Sequence, residues 1–321
     1  MKPQATLQKP LHILLVAMSQ SPYNCSIWTG FLDGFQSLGH SVEVVDATRI
    51  PDPATTAKKP NLLLAIHGSN VPADKIEAYR TAGIFTAVYL LDEPYEIDRT
   101  VEWACHYDCI FSVDKVTVPV HGRHTQARFL PLAYNPAIFY PHGPTIPSTI
   151  LVLGTPFSAR EEFLSALRDR WGKLVTWVGP GWKQFSPAGH HYEQFATPAD
   201  CARFYRGATI VINIHRDSYW SHFGELNKNR LEATHLNPRF WEAAACKSLQ
   251  LCSYRKDLEI FSPKTPTFRT VDEFISKLEY FIDNKKARDT IASKVYRKIK
   301  NHTYEARCKS IIEALETDIQ P

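Results

Sequence analysis

Apolar positions along the chain switch between two periods. Short apolar runs at residues 12–17, 42–45, 62–66, 87–91, 109–112 and 127–132 read as strands. A loop is expected at 19–24. Between the strands fall segments with helical spacing. Ile27, Trp28, Phe31, Leu32, Phe35 and Leu38 mark one helix face that Gly39 would end, and further helices are predicted over 74–80 and near 99–106. Such alternation implies right-handed crossovers and a mostly parallel sheet covered on both faces.

Pro136, Pro141, Pro144 and Pro147 then crowd into twelve residues, a stiff extended segment and the best domain boundary in the chain. Beyond it the alternation restarts, with strands at 149–153, 174–178, 209–214 and 249–253. Phe163, Leu164, Leu167 and Trp171 share one helical face. Val271, Phe274, Ile275, Leu278, Phe281 and Ile282 share another. A basic helix is predicted from 287 to 317. The fold class is therefore α/β, with two Rossmann-like doubly wound domains, 1–140 and 141–300, facing each other across a cleft. Ligands in such sheets sit at the carboxyl ends of the strands.

Composition supports this picture. The 321 residues are 44% hydrophobic and 22% charged, enough for two cores and unlike a disordered chain or a disulfide scaffold. No apolar run approaches the roughly 18 residues of a membrane span. The leading MKPQATLQKP has no apolar signal-peptide segment, so a cytoplasmic protein is expected. The seven cysteines are scattered and read as reduced thiols. Cys105 and Cys109, with His106 between them, lack the second close pair a structural zinc needs, so no metal site is predicted. Net charge is +4, yet 281–310 alone holds nine Lys/Arg against three acids. That segment is either a solvated helix face or a surface for peripheral contact with anionic lipid or another polyanion.

The chain contains no G-x-G-x-x-G after its first strand, no P-loop and no G-x-S-x-G elbow, which sets aside several nucleotide-binding and hydrolase classes. An anion would be held differently. Asn237 is a good N-cap and Pro238 a good first helical residue, and a helix starting there offers free N–H groups and a partial positive charge. Arg239 adds a fork in the first turn, and Glu242 lies at i+3 on the same side. Together they fit a nucleoside-diphosphate sugar. A capped helix with a surface Arg–Glu pair is the alternative.

These residues carry a resemblance to the spore-maturation-protein (CgeB-like) family of bacterial glycosyltransferases. A strand like 210–215 there precedes an N-x-R-x-[FW]-E helix, matched by Asn237, Arg239, Trp241 and Glu242. Also similar are the turn 178–182, Leu153-Gly154 with Arg160, and His302, Thr303, Tyr304 and Arg307 near the end. In the first half, 91–95, 111–114 and 130–133 match. The resemblance implies a GT-B fold, with the donor in the second domain, the acceptor in the first, and a terminal helix (301–321) crossing back. It implies that Glu242 binds ribose hydroxyls and that Arg160 and Arg239 face the diphosphate. Gly179, Asn213 and Asn237 fall on the donor side. No metal is expected to be required, and a UDP-sugar is the favoured co-substrate. The acceptor stays open between carbohydrate, protein, lipid-linked and nucleic acid.

Two positions depart from the family pattern. Thr234 stands where related retaining enzymes often have a second glutamate, and Lys247 stands where glycine is common. Lys247 is read either as a further diphosphate contact or as a sign that the helix ends differently. The long stretch 215–236, with Trp220, His222 and Glu225, is either a lid or acceptor loop or an ordinary surface loop. For catalysis, Asp92 and Glu93 end a predicted strand and point opposite ways, and Asp92 is the favoured base. His67 is the second candidate, and Asp114 reads as structural. His121, His124, His190 and His191 read as exposed-loop histidines. The expected function is sugar transfer from a nucleoside-diphosphate sugar. The rivals are a non-catalytic two-domain nucleotide- or sugar-binding module and a sugar-nucleotide epimerase.

Overall fold

The computed structural model describes residues 9–17, 25–156, 160–219, 221 and 223–319. The leading residues 1–8, the expected loop 19–24, and Trp220 and His222 lie outside them. Among the described residues, twelve strands form two sheets. The first contains β1 (His12–Ala17), β2 (Ser41–Asp46), β3 (Leu62–Ile66), β4 (Phe85–Leu90), β5 (Cys109–Ser112) and β6 (Gln126–Phe129), ordered β2-β1-β3-β4-β5-β6. The second contains β7 (Ser148–Leu153), β8 (Val175–Val178), β9 (His190–Tyr192), β10 (Ala208–Asn213), β11 (Gln250–Ser253) and β12 (Thr267–Phe268), ordered β12-β11-β10-β7-β8-β9. All ten strand pairings are parallel. Each sheet reverses its winding once, between β1 and β3 in the first and between β7 and β10 in the second.

The central strands β1 and β3 are buried at every position, as continuous apolar runs between helix layers must be. β2 is the edge strand and is half-exposed throughout, with Glu43 and Asp46 blunting it. Helix starts follow side-chain caps. Thr197, Asn237, Thr270 and Asn284 each accept a backbone N–H from the first turn. Among the described residues no helix is long and apolar enough to cross a membrane.

The end of the chain differs from expectation. Instead of one helix over 287–317 there are two, Lys285–Ile299 and Tyr304–Ile319. The break is made by pairing with the first domain. Tyr134 N–H donates to the His302 carbonyl at 3.3 Å, and Tyr304 N–H donates to the Tyr134 carbonyl at 3.1 Å. Arg307 then donates Nε to Pro131 O (2.6 Å) and Nη2 to Leu132 O (3.0 Å). β6 ends at Phe129 rather than at 132, where its partner β5 ends at Ser112 and Pro131 has no N–H to continue the ladder. The final helix lies against the helix Cys25–Ser37. Gly30 and Gly34 make this approach feasible, since a Cβ on them would fall 2.2 Å from the Tyr304 ring and 2.9 Å from the Glu305 backbone. Phe31 packs on Tyr304 and Tyr89 at centroid distances of 5.0 and 5.1 Å. One apolar cluster thus runs from the first sheet through the terminal helix to Tyr205 and Trp241 of the second domain.

Candidate active site

At the second switch point the chain leaves β7 and β10 side by side, and the helix Pro238–Ala245 starts above them. Asn237 caps it, its Oδ1 accepting the Phe240 N–H at 3.0 Å. Behind the cap, Asn213 and Asn237 exchange amide hydrogen bonds of 3.1 and 2.8 Å, and Asn213 also donates to Gln250. Asn213 is fully buried and holds the cap in place instead of facing the cleft.

Arg239 reaches over the crevice. Its Nη1 donates to Leu153 O of β7 at 2.6 Å, and its Nη2 to Ile214 O just past β10 at 3.3 Å. Arg160 donates Nη1 to Thr155 O at 2.9 Å. Gly154 and Gly179 form the floor, both with strongly positive φ (127° and 124°). A Cβ on Gly179 would fall 2.0 Å from Gly154 O, and one on Gly154 would fall 2.7 Å from Arg239 Nη1. Only glycine fits either position.

Gly154, Gly179, Asn237 and Arg239 line a cavity of about 230 Å³ with Ser26, Thr155, Phe195 and Glu242, and Arg160 stands behind that lining. Glu242 is buried, accepting from Ser26 Oγ (2.9 Å) on the first domain and from the Tyr205 hydroxyl (3.3 Å). Burial pushes its carboxyl up to about 7 despite those hydrogen bonds and the nearby Arg239. Burial lowers the proton affinity of Arg239, and burial with Arg239 beside it lowers that of Arg160 well below the ordinary range. Guanidinium groups stay charged, so the shifts mark the cost of burying two cations here.

Lys247 is not part of it. It is exposed, at the opposite end of the helix from Asn237, with φ of 59°. Its N–H donates to Ala244 O and that of Ser248 to Ala243 O, so Lys247 fills the left-handed helix-ending position usually given to glycine. The diphosphate contact considered for it is therefore corrected to a helix stop. Thr234 gives its N–H and hydroxyl to Asp114 at 2.6 and 2.9 Å, a domain-to-domain contact.

From the first domain Ser26 and Phe139 reach the cavity's lining, while Asp92 and His67 stand outside it. Asp92 is about a third exposed, its Oδ2 3.6 Å from His67 Nδ1 and its Oδ1 3.2 Å from Arg216 Nη1. Glu93 points the other way and is fully buried against Thr100 and His121 Nε2, the latter at 3.4 Å. His121 is therefore a core residue, not a loop histidine. Its short helix, Val118–His121, folds it back under the sheet. Asp114 is a clamp. Burial alone would raise its carboxyl, but His235 and the backbone N–H groups of Val116 and Thr234 bring it down to about 2.

Sequence reasoning missed Arg216, Arg255 and Ser26. Arg216 sits three residues past the end of β10, and that position beside a switch point was the one signal available. Around it, 215–236 binds the first domain. Asp98 exchanges backbone and carboxylate hydrogen bonds with Leu226 and Lys228, and Arg99 sits 4.6 Å over the Phe223 ring. Arg255 ties the stretch down through Ala233 O (2.9 Å), Ser218 Oγ (3.2 Å) and the Arg216 carbonyl. Among the described residues, no group of three or more His, Cys, Asp or Glu is arranged to hold a metal ion.

Two facing doubly wound domains, with a capped helix, two arginines and a buried glutamate at the second switch point, have the GT-B architecture. Residues 160–313 match the family model described as glycosyl transferase-like. Spore protein CgeB of Bacillus subtilis (strain 168) is 23% identical over 254 residues, covering 75% of this chain and 78% of that protein. Over these stretches the chain is similar to the CgeB-like glycosyltransferases. Among solved structures, Anabaena Alr3699/HepE in complex with UDP and glucose superposes with a TM-score of 0.64 at 11% identity, over 96% of this chain and all of that one. A UDP-forming α,α-trehalose-phosphate synthase from Burkholderia xenovorans gives 0.62 at 11% identity, over 96% and 99%. An α-glucosyltransferase in complex with UDP and a 13-mer DNA gives 0.64 at 11% identity, over 96% and 100%.

Proposed function

We propose that this chain moves a sugar from a nucleoside-diphosphate sugar, with a UDP-sugar favoured, onto an acceptor that enters along the first domain. The carrying observation is the cavity between Gly154, Gly179, Arg239 and Glu242. Its glycine floor lets a phosphate reach the backbone, the Asn237-capped helix start and the two arginines supply positive charge, and Glu242 can accept two ribose hydroxyls. Similar chains solved with UDP support the choice of nucleotide. In transfer, charge builds on the departing diphosphate, where Arg160, Arg239 and the helix start meet it. Asp92, with His67 3.6 Å from it, would take the acceptor's proton.

The test is a thermal-shift panel of UDP, GDP, ADP, CDP and dTDP on the wild type and on Glu242→Ala. A nucleotide at a hundred times its Kd stabilises the fold by about 2.7 kcal/mol, a shift of several degrees. One nucleotide should shift the wild type and not the variant. No shift from any nucleotide at millimolar concentration would remove the donor assignment.

A further inference from the structure

Arg216 lies two positions beyond the Ile214 carbonyl that holds Arg239, on the strand end that forms the switch point. Its guanidinium crosses to the first domain. Nη1 donates to Asp92 Oδ1 at 3.2 Å, and Cζ sits 3.7 Å from the centroid of the Tyr95 ring. From behind, Arg255 donates to the Arg216 carbonyl and fixes the backbone. The side chain is thus held at both ends.

Two of its nitrogens are left over. Nε and Nη2 are buried and have no hydrogen-bond partner among the described residues. They form one edge of the guanidinium, whose parallel N–H groups match two oxygens of a single phosphate. Asp92 does not satisfy them, because its Oδ1 is taken by Nη1 and its Oδ2 faces His67. Buried charged donors left unmade are costly, and here they stand among Arg160, Arg239 and Arg255. A structure that keeps such an edge buried and ordered is shaped for an anion.

We propose that Arg216 holds the distal phosphate of the donor through Nε and Nη2 while its Nη1 stays on Asp92. Resting on the donor assignment above, the division of labour follows from position. The proximal phosphate falls to the helix start, Arg160 and Arg239 in the second domain. Arg216 stands on the first-domain side, against Asp92 and Tyr95. One side chain then ties the leaving group to the acceptor-side carboxylate. When the bond from the sugar's anomeric carbon to the distal phosphate oxygen breaks, its electron pair stays on that oxygen, beside Arg216. The acceptor hydroxyl oxygen bonds to the carbon, and its proton passes to Asp92.

Calorimetric titration of the full chain tests this with the best-binding nucleoside diphosphate of the panel and the matching monophosphate, on the wild type, Arg216→Gln and Arg216→Lys. Diphosphate affinity should fall about tenfold or more in both variants, since lysine has no two-nitrogen edge. Monophosphate affinity should stay within about twofold. If the wild type binds the diphosphate, Glu242→Ala does not, and Arg216→Gln binds like the wild type, Arg216 is only a domain-to-domain pair and the donor assignment stands. Equal losses for both nucleotides, with a lower melting temperature, would also overturn the proposal by assigning Arg216 to folding. If no nucleoside diphosphate binds the wild type, the donor assignment fails and takes this one with it.

Discussion

Replacing Glu242 by glutamine should make the protein more stable at neutral and alkaline pH while weakening its site. The carboxyl has an ordinary value of 4.5 and is pushed up to about 7 by burial. Below pH 4.5 it is neutral in both folded and unfolded chains and costs nothing. Between pH 4.5 and 7 the unfolded chain ionises this carboxyl while the folded chain keeps it protonated, so stability is lost across that window and levels off above 7. At about 1.4 kcal/mol per pH unit, the loss approaches about 3 kcal/mol by pH 8. Glutamine keeps the shape and stays neutral, and the Ser26 and Tyr205 hydroxyls can rotate to serve its amide. Melting curves of both proteins at pH 5, 6, 7 and 8 provide the assay. The variant's advantage should be small at pH 5 and widen by roughly 5–10 °C at pH 8, from about 2–4 °C per kcal/mol. A gap that stays constant with pH would refute the reasoning, because it would show that Glu242 does not titrate in that window.

Gly179→Ala puts a Cβ 2.0 Å from the Gly154 carbonyl at a φ of 124°. It should cost at least about 2 kcal/mol in thermal or denaturant unfolding and abolish the nucleotide-dependent shift. Lys247→Gly relieves a left-handed backbone on an exposed residue. A gain of about 0.5–1 kcal/mol with an unchanged nucleotide response is expected, and a lost response would restore Lys247 to the site.

Much of the frame was readable from periodicity because β1, β3, β4 and β5 are buried apolar runs and the helices between them keep one apolar face. The Asn237–Pro238 helix start was legible because capping is local chemistry. What escaped was set by partners distant in sequence. The break at 300–303 depends on Tyr134, the burial of His121 depends on Glu93, and the place of Arg216 depends on Asp92 and Tyr95. Nothing within a few residues of those positions encodes the partner. Lys247 misled for a different reason: a lysine in a left-handed turn resembles a ligand on paper, when the backbone there merely tolerates it.

The terminal helix has a consequence for how the protein is made. Its contact surface on the first domain, around Gly30, Phe31 and Gly34, is complete only when Tyr304 and Cys308 arrive. A ribosome adding 5–20 residues per second needs on the order of 10–30 s to travel from the end of β6 to that helix. During this interval the newly made first sheet carries an uncovered apolar seam. A chain that stopped before Tyr304 would keep that seam for life, so such a truncation should yield an aggregating product.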